Sequence, residues 1–375
     1  MSLSFGTRDD ELIAIISDLL AQERAARDDH GLSHHFDALV DQVMSEGGFY
    51  APTLAARAIT QADGDPVEAS FLLRAYRTTL PRIGYTLPTD GRAMRLSRRV
   101  SPIYKEVIGG QILGRTRDFT QRLLELDDAP PDAHARIAPA TNGTVPHDED
   151  TRESSGLPRI LELLRTEGVI PSPTPTDVEP FDVTRAPMRF PTPRSARLQT
   201  LARGETGFMV GLAYSTMRGF GTAHPLIAEL RQGELPVQIQ HPLTGDAVTP
   251  GSIALTAVDI ISYAPGVLGA RSERQANEAS VGKYFHQGYG IAFGRHERRA
   301  IAMGILDLNL NTPNNHGPAA SEEFVLSHCD GVAASGLVEH LKLPHYVGFQ
   351  STLDRVRFRR LHALVEQSTT AGGGA

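Results

Sequence analysis

Apolar positions recur at helical spacing along much of the chain, and at strand spacing in only a few places. Leu12, Ile15, Ile16 and Leu19 fall on one face of a helix expected over residues 11–28. Phe36, Leu39, Val40 and Val43 mark a second, shorter helix, which Gly47-Gly48 should close, because glycine readily takes the left-handed conformation at a helix end. The clearest helix start is Asp65-Pro66-Val67-Glu68: an acid to cap, proline at the first helical position, and glutamate to complete a capping box. That helix should run to about Thr79 and bury Val67, Phe71, Leu72 and Ala75, with Arg74 and Arg77 pointing elsewhere.

From Pro130 to Pro193 the pattern breaks into prolines, an acidic patch from His147 to Glu153, and one helical segment near Ile160–Leu164. This reads as a long surface connection. It divides the chain into a helical region, 1–129, the connection, 130–193, and an α+β region, 194–375. Beyond it, Phe208–Met217 reads as a helix, and Leu235–Ile239, Ile253–Ile261 and Tyr289–Phe293 read as strands. Ile301, Gly304, Ile305 and Leu308 give a further helix, and Ser321 caps another that carries Glu322 and Glu323 in its first turn. The expected fold is α+β: helix-rich, with a modest antiparallel sheet. No GxGxxG or Walker loop occurs, so neither a Rossmann nor a P-loop fold is expected.

Charge narrows the functional classes. The 375 residues carry 37 basic and 44 acidic side chains, a net charge of −7, so nothing global draws the chain to nucleic acid or an anionic membrane. Any phosphate site must be local. Asp9, Asp10 and Glu11 precede the first apolar stretch where a signal peptide would be basic, and no apolar run reaches membrane-spanning length; the expected location is cytoplasmic. The single cysteine, Cys329, cannot build an iron–sulfur cluster or a zinc ribbon by itself, and it is expected to be a small buried hydrophobe.

Three segments carry candidate chemistry. In His340-Leu341-Lys342-Leu343-Pro344-His345, Pro344 forces Leu343 out of helical geometry, so two imidazoles five residues apart would meet across a corner. Two readings stand: half of a divalent metal site, zinc being the natural partner of neutral histidine, or a pair that caps a helix end. The stretch Arg92, Arg95, Arg98, Arg99 and Lys105, followed by Gly109-Gly110-Gln111, would hold a triphosphate, with Arg98, Arg99 and Lys105 as phosphate ligands; a solvated face or an interface with an acidic partner explains it equally well. Glycines flank aromatics in Ala213–Gly221 and Gly288–Gly294, a pattern that suits stacking on a purine but more often marks tight packing.

Several stretches together resemble PhnI, the I subunit of the bacterial carbon-phosphorus lyase machinery. They are Val43-Met44-Ser45-Glu46-Gly47-Gly48, Glu68–Leu80, Gly109-Gly110-Gln111, Leu212–Thr216, Gly288-Tyr289-Gly290, Glu322–Leu326 and His340–Val347. The resemblance spans roughly residues 41–126 and 194–357. It implies a core complex with the PhnG, PhnH and PhnJ subunits, joined by PhnK and PhnL. It also implies a reaction in which a phosphonate such as methylphosphonate displaces adenine from the ribose of ATP, with the later radical step left to PhnJ. The family's two-histidine metal would fall on His340 and His345. Glu322 and Glu323 are the acids expected to protonate the departing purine. Two other readings remain open, a purine nucleosidase that uses water and a non-catalytic scaffold subunit.

Overall fold

A computed structural model describes residues 36–114, 116, 118, 152–153, 157–172, 178–218, 224–262, 285–312 and 315–372. The helix expected over 11–28 and the Gly219–Gly221 end of one glycine-aromatic segment lie outside them. Residues Met1–Gly331 form one compact unit and Val332–Ala375 another. The described residues of 36–118 and of 152–193 share that first unit with those of 194–331.

The larger unit is built on a five-stranded antiparallel sheet. Its strands are β1 (Arg95–Val100), β2 (Arg152–Glu153), β3 (Leu226–Gln240), β4 (Ala247–Ser262) and β5 (His286–Phe293), in the order β2-β1-β3-β4-β5. Each strand seen in the sequence is present, and β3 and β4 are far longer than their β-branched cores suggested. β1 was not anticipated, because arginines occupy three of its six positions.

Alternation along β4 sends Val258 and Ile260 to one face and Leu255, Ala257 and Ile261 to the other. On the first face lie α5 (Arg194–Ala202), α6 (Thr206–Met217), α7 (Glu297–Asn311) and α8 (Glu322–His328), which bury Leu201, Met209, Met303, Leu306 and Val325 against the sheet. On the second face lies α4 (Ile160–Thr166), whose Ile160, Leu161 and Leu164 pack with Ile170 onto Ala228 and Ile261. Residues 157–172 are thus part of the core and not a surface connection. The apolar spacing of so short a helix was overshadowed by the prolines around it.

α6, α7 and α8 follow the sequence closely, and α5 was not anticipated. Gly288 and Gly290 of β5 explain one glycine-aromatic segment: a Cβ on Gly290 would lie 1.8 Å from the Ala300 carbonyl oxygen, and one on Gly288 would lie 2.2 Å from that of Gly304. Glycine lets β5 and α7 touch, so the segment is a packing device.

A helical layer of α1 (Asp37–Gly47), α2 (Pro52–Gln61) and α3 (Pro66–Thr78) buries Val43, Met44, Ile59, Ala69 and Leu73. Gly48 ends α1 with φ 64°, and Asp65 caps α3 by accepting hydrogen bonds from the Val67 and Glu68 amides. The face α3 turns inward differs from expectation. Ala69, Ser70 and Leu73 are buried while Phe71 is 48% exposed. The helix is rotated so that Arg74 reaches Asp330 and Arg77 reaches the Gly48 carbonyl on its inner side. Glu46 joins this layer to the rest: its carboxylate accepts from the Thr206 amide and hydroxyl, at 3.0 and 2.7 Å, and faces the fully buried Arg299 guanidinium at 3.4 Å.

The smaller unit runs from α9 (Gly331–Glu339) through a 3-10 turn at His340–Lys342 and a π-helical turn at Tyr346–Gln350 into α10 (Ser351–Gly372). None of its described side chains is buried, and Leu341, Val347, Phe349, Phe358 and Leu361 are more than half exposed.

Candidate functional site

The 3-10 turn stops at Leu343, which is extended (φ −75°, ψ 156°) ahead of Pro344, and the chain turns before His345 opens the next helical segment. The corner brings His340 Nε2 to 2.8 Å from His345 Nε2, with the rings at 88° to one another. His345 Nδ1 lies 2.5 Å from the Leu343 carbonyl oxygen, and its ring stacks on Phe349 at 4.7 Å. Because a carbonyl only accepts, Nδ1 carries the proton and the lone pair of His345 is left on Nε2, which faces His340. A backbone carbonyl on the far nitrogen is the support that orients metal-ligating imidazoles.

His340 Nε2, 2.8 Å away, donates its proton to the His345 lone pair. A divalent cation would take the place of this proton, with the two Nε2 atoms as ligands moved slightly apart, at a corner where His340 is exposed. Among the described residues no third His, Cys, Asp or Glu completes the set, so further ligands would have to come from substrate, water or another chain.

The other expected site residues are differently placed. Arg99 is 1% exposed and its donors are committed: Nε to Glu229 at 2.7 Å, Nη1 to the Ile108 carbonyl and Nη2 to the Pro158 carbonyl, both at 2.8 Å. Arg98, 4% exposed, is held between Glu297 at 2.6 Å and Asp118 at 2.7 Å. These are internal cations of the sheet, and the expectation that they present a phosphate site is corrected by their burial. The glycine segment behind them is likewise occupied. Ile112 and Arg99 exchange backbone hydrogen bonds, and the Gly110 amide donates to Val107, so the loop wraps Arg99 instead of offering its amides to an anion. Of the three expected phosphate ligands Arg98, Arg99 and Lys105, Lys105 alone is exposed.

Glu322 accepts from the amide and hydroxyl of Thr192, at 2.7 and 2.5 Å, tying α8 to the segment before α5. Glu323, beside it, is exposed. Ser215 donates to the Leu212 carbonyl within its own helix. Cys329 is fully buried, and burial pushes its thiol up to about 12, which leaves it inert as the sequence suggested. What sequence reasoning missed is the charged interior: Arg99–Glu229, Arg159–Asp259 at 2.7 Å, Arg194–Asp307 at 2.6 Å and Arg299–Glu46. The partners are 100 or more residues apart, and no local pattern links them.

The fold and the corner define an α+β protein with an open two-imidazole site and no helix among the described residues long and apolar enough to cross a membrane. A family model described as "Bacterial phosphonate metabolism protein (PhnI)" matches residues 11–363, and the chain belongs to that family. It is 44% identical over 343 residues to the chain named alpha-D-ribose 1-methylphosphonate 5-triphosphate synthase subunit PhnI of Rhizobium meliloti (strain 1021), covering 89% of this chain and 86% of the relative. The chain of the same name from Escherichia coli (strain K12) is 40% identical over 331 residues, covering 87% of each. A Stutzerimonas stutzeri chain, HtxH, named as a candidate C-P lyase subunit protein, is 43% identical over 326 residues, covering 85% of this chain and 83% of its own length.

Proposed function

We propose that this chain is the subunit of a carbon-phosphorus lyase complex on which a phosphonate, such as methylphosphonate, displaces adenine from the ribose of ATP. The product is ribose 1-phosphonate 5-triphosphate. The bond from C1 of the ribose to the purine nitrogen breaks, a bond from C1 to a phosphonate oxygen forms, and the departing purine takes up a proton. Two relatives that carry the synthase name and match this chain over 87–89% of its length support the reaction. The observation on this chain that carries it is the pair of converging imidazoles, His340 and His345.

A divalent cation held there, zinc by the chemistry of two neutral imidazoles, would neutralise phosphoryl oxygens and leave coordination positions for them. The chain's own part is to hold both Nε2 atoms at one point, with Leu343 fixing the tautomer and Phe349 fixing the ring plane. Of the two acids expected to protonate the purine, Glu323 is exposed and its carboxylate is available, whereas Glu322 is committed to Thr192. The surface-exposed apolar side chains of α10 suit a subunit that works within an assembly. PhnG, PhnH and PhnJ, with PhnK and PhnL, are the proposed partners.

The test is product analysis on the purified complex. Adenine and a ribose 1-phosphonate formed together from ATP and methylphosphonate support the transfer. Adenine formed with free ribose 5-triphosphate would make the chain a nucleosidase, and no adenine from an intact complex would leave it a scaffold.

A further inference from the structure

Where α1, α3 and the end of α5 meet, three arginines converge with fewer acceptors than they have donors. Arg74 is anchored through its terminal nitrogens: Nη1 donates to both oxygens of Asp330 at 2.8 and 3.1 Å, and Nη2 donates to the Glu46 carbonyl at 2.8 Å, while its Nε is buried without a partner. Arg77 is partly satisfied, with Nη1 donating to the Gly48 carbonyl at 2.7 Å. Arg203, the residue that ends α5, is not. Its Nε is buried without a hydrogen-bond partner, and no carboxylate or carbonyl among the described residues accepts from its side chain.

The three lie close together. A Cβ on Gly48 would come within 3.1 Å of Arg77 Nη1 and 3.2 Å of Arg203 Nε, so both guanidiniums approach the same backbone atom. A fourth arginine, Arg82, stands nearby with its own counter-ion, Asp182, at 2.8 Å. Asp330 and Asp182 are the two acids facing the group, against four guanidiniums. Burial, and then repulsion among these cations, holds Arg77 and Arg203 below the usual arginine range. Half-buried like charges without a counter-charge are costly and persist where an anion is brought to them. Guanidinium forks match a tetrahedral phosphoryl group, to which each can donate in parallel.

We propose that Arg203 and Arg77, beside Gly48, form a phosphoryl-binding site that takes the terminal phosphate of a nucleotide's polyphosphate chain or the head of a free phosphonate. The proposal rests on the proposed function for which ligand arrives there, and on the unpartnered guanidinium for the existence of the site. Arg74 and Asp330 stand beside it, with both Asp330 oxygens accepting from Arg74 Nη1 and the Asp330 charge offsetting only part of the strain on Arg203.

The test uses the full chain in its purified complex and three probes: inorganic tripolyphosphate, ATP and methylphosphonate. Arg203→Met should weaken tripolyphosphate and ATP about tenfold or more if the site takes polyphosphate, or methylphosphonate by that factor if it takes the phosphonate, and Arg203→Lys should restore part of the loss. Unchanged affinity for all three would overturn the proposal, as would a variant complex that loses a subunit yet binds the probes normally, which would make Arg203 the partner of another chain's acid. Should Arg203→Met fail to assemble, phenylglyoxal on the wild-type complex decides. Protection of Arg203 by tripolyphosphate or methylphosphonate supports the site, and equal modification with and without them overturns it. Adenine release separates this from the broader reading: a wild-type complex that binds tripolyphosphate through Arg203 but releases no adenine keeps the site and loses the reaction.

Discussion

The Nε2 atoms of His340 and His345 lie 2.8 Å apart, and His345 is oriented from behind by the Leu343 carbonyl. A metal held between two imidazoles depends on both, because one histidine gives an ordinary exposed side chain. Replacing either with alanine should strip the proposed divalent metal from the purified complex, seen as loss of close to one equivalent by elemental analysis, while the secondary structure is unchanged. Equal metal content in wild type and both variants would show that the pair serves only to hold the corner.

Arg299 is fully buried against Glu46, which is 3% exposed and whose carboxyl is held above its usual range by burial. Removing the cation leaves a buried carboxylate without a counter-charge. Arg299→Met should cost about 3–5 kcal/mol of stability, and adding Glu46→Gln to it should recover part of that, because a neutral amide still accepts from Thr206. Chemical denaturation of the two variants measures the difference.

Asp41 is buried beside Gly294 and accepts from the Arg295 amide at 2.8 Å; burial pushes its carboxyl from 3.8 up to about 6. The folded chain therefore holds this proton more tightly than the unfolded chain. The stability it contributes is full below pH 3.8 and is lost as pH rises through about 6. Asp41→Asn keeps an acceptor for Arg295 and cannot ionise. Across that window the variant should gain on wild type by roughly 3 kcal/mol at most, read from unfolding midpoints against pH. A constant difference between the two would contradict the assignment.

Gly290→Ala places a methyl group 1.8 Å from the Ala300 carbonyl oxygen, which is backbone and cannot rotate away. Strand β5 and helix α7 would have to separate. A loss of about 3 kcal/mol or more is expected, as a fall in the thermal midpoint of several degrees.

The sequence carried local geometry well and long-range electrostatics poorly. Asp65-Pro66 announced α3, Gly48 announced the end of α1, and Pro344 announced the corner that joins the histidines, because each acts through its own backbone. The inner face of α3 was misjudged because Phe71 is apolar and Arg74 is charged, yet Arg74 has Asp330 to meet and Phe71 is left outside. Arg98 and Arg99 looked like phosphate ligands for the same reason. Nothing in the run 95–100 reveals that Glu229 and Glu297 will be waiting. The meeting of the two imidazoles was legible, since both rings and the proline that turns them together lie within six residues.

The most direct test of the central claim is adenine release from ATP and methylphosphonate by the purified complex, comparing wild type with the His340→Ala, His345→Ala double variant. The double variant should assemble, lack the metal and release no adenine. Release at the wild-type rate from that variant would contradict it.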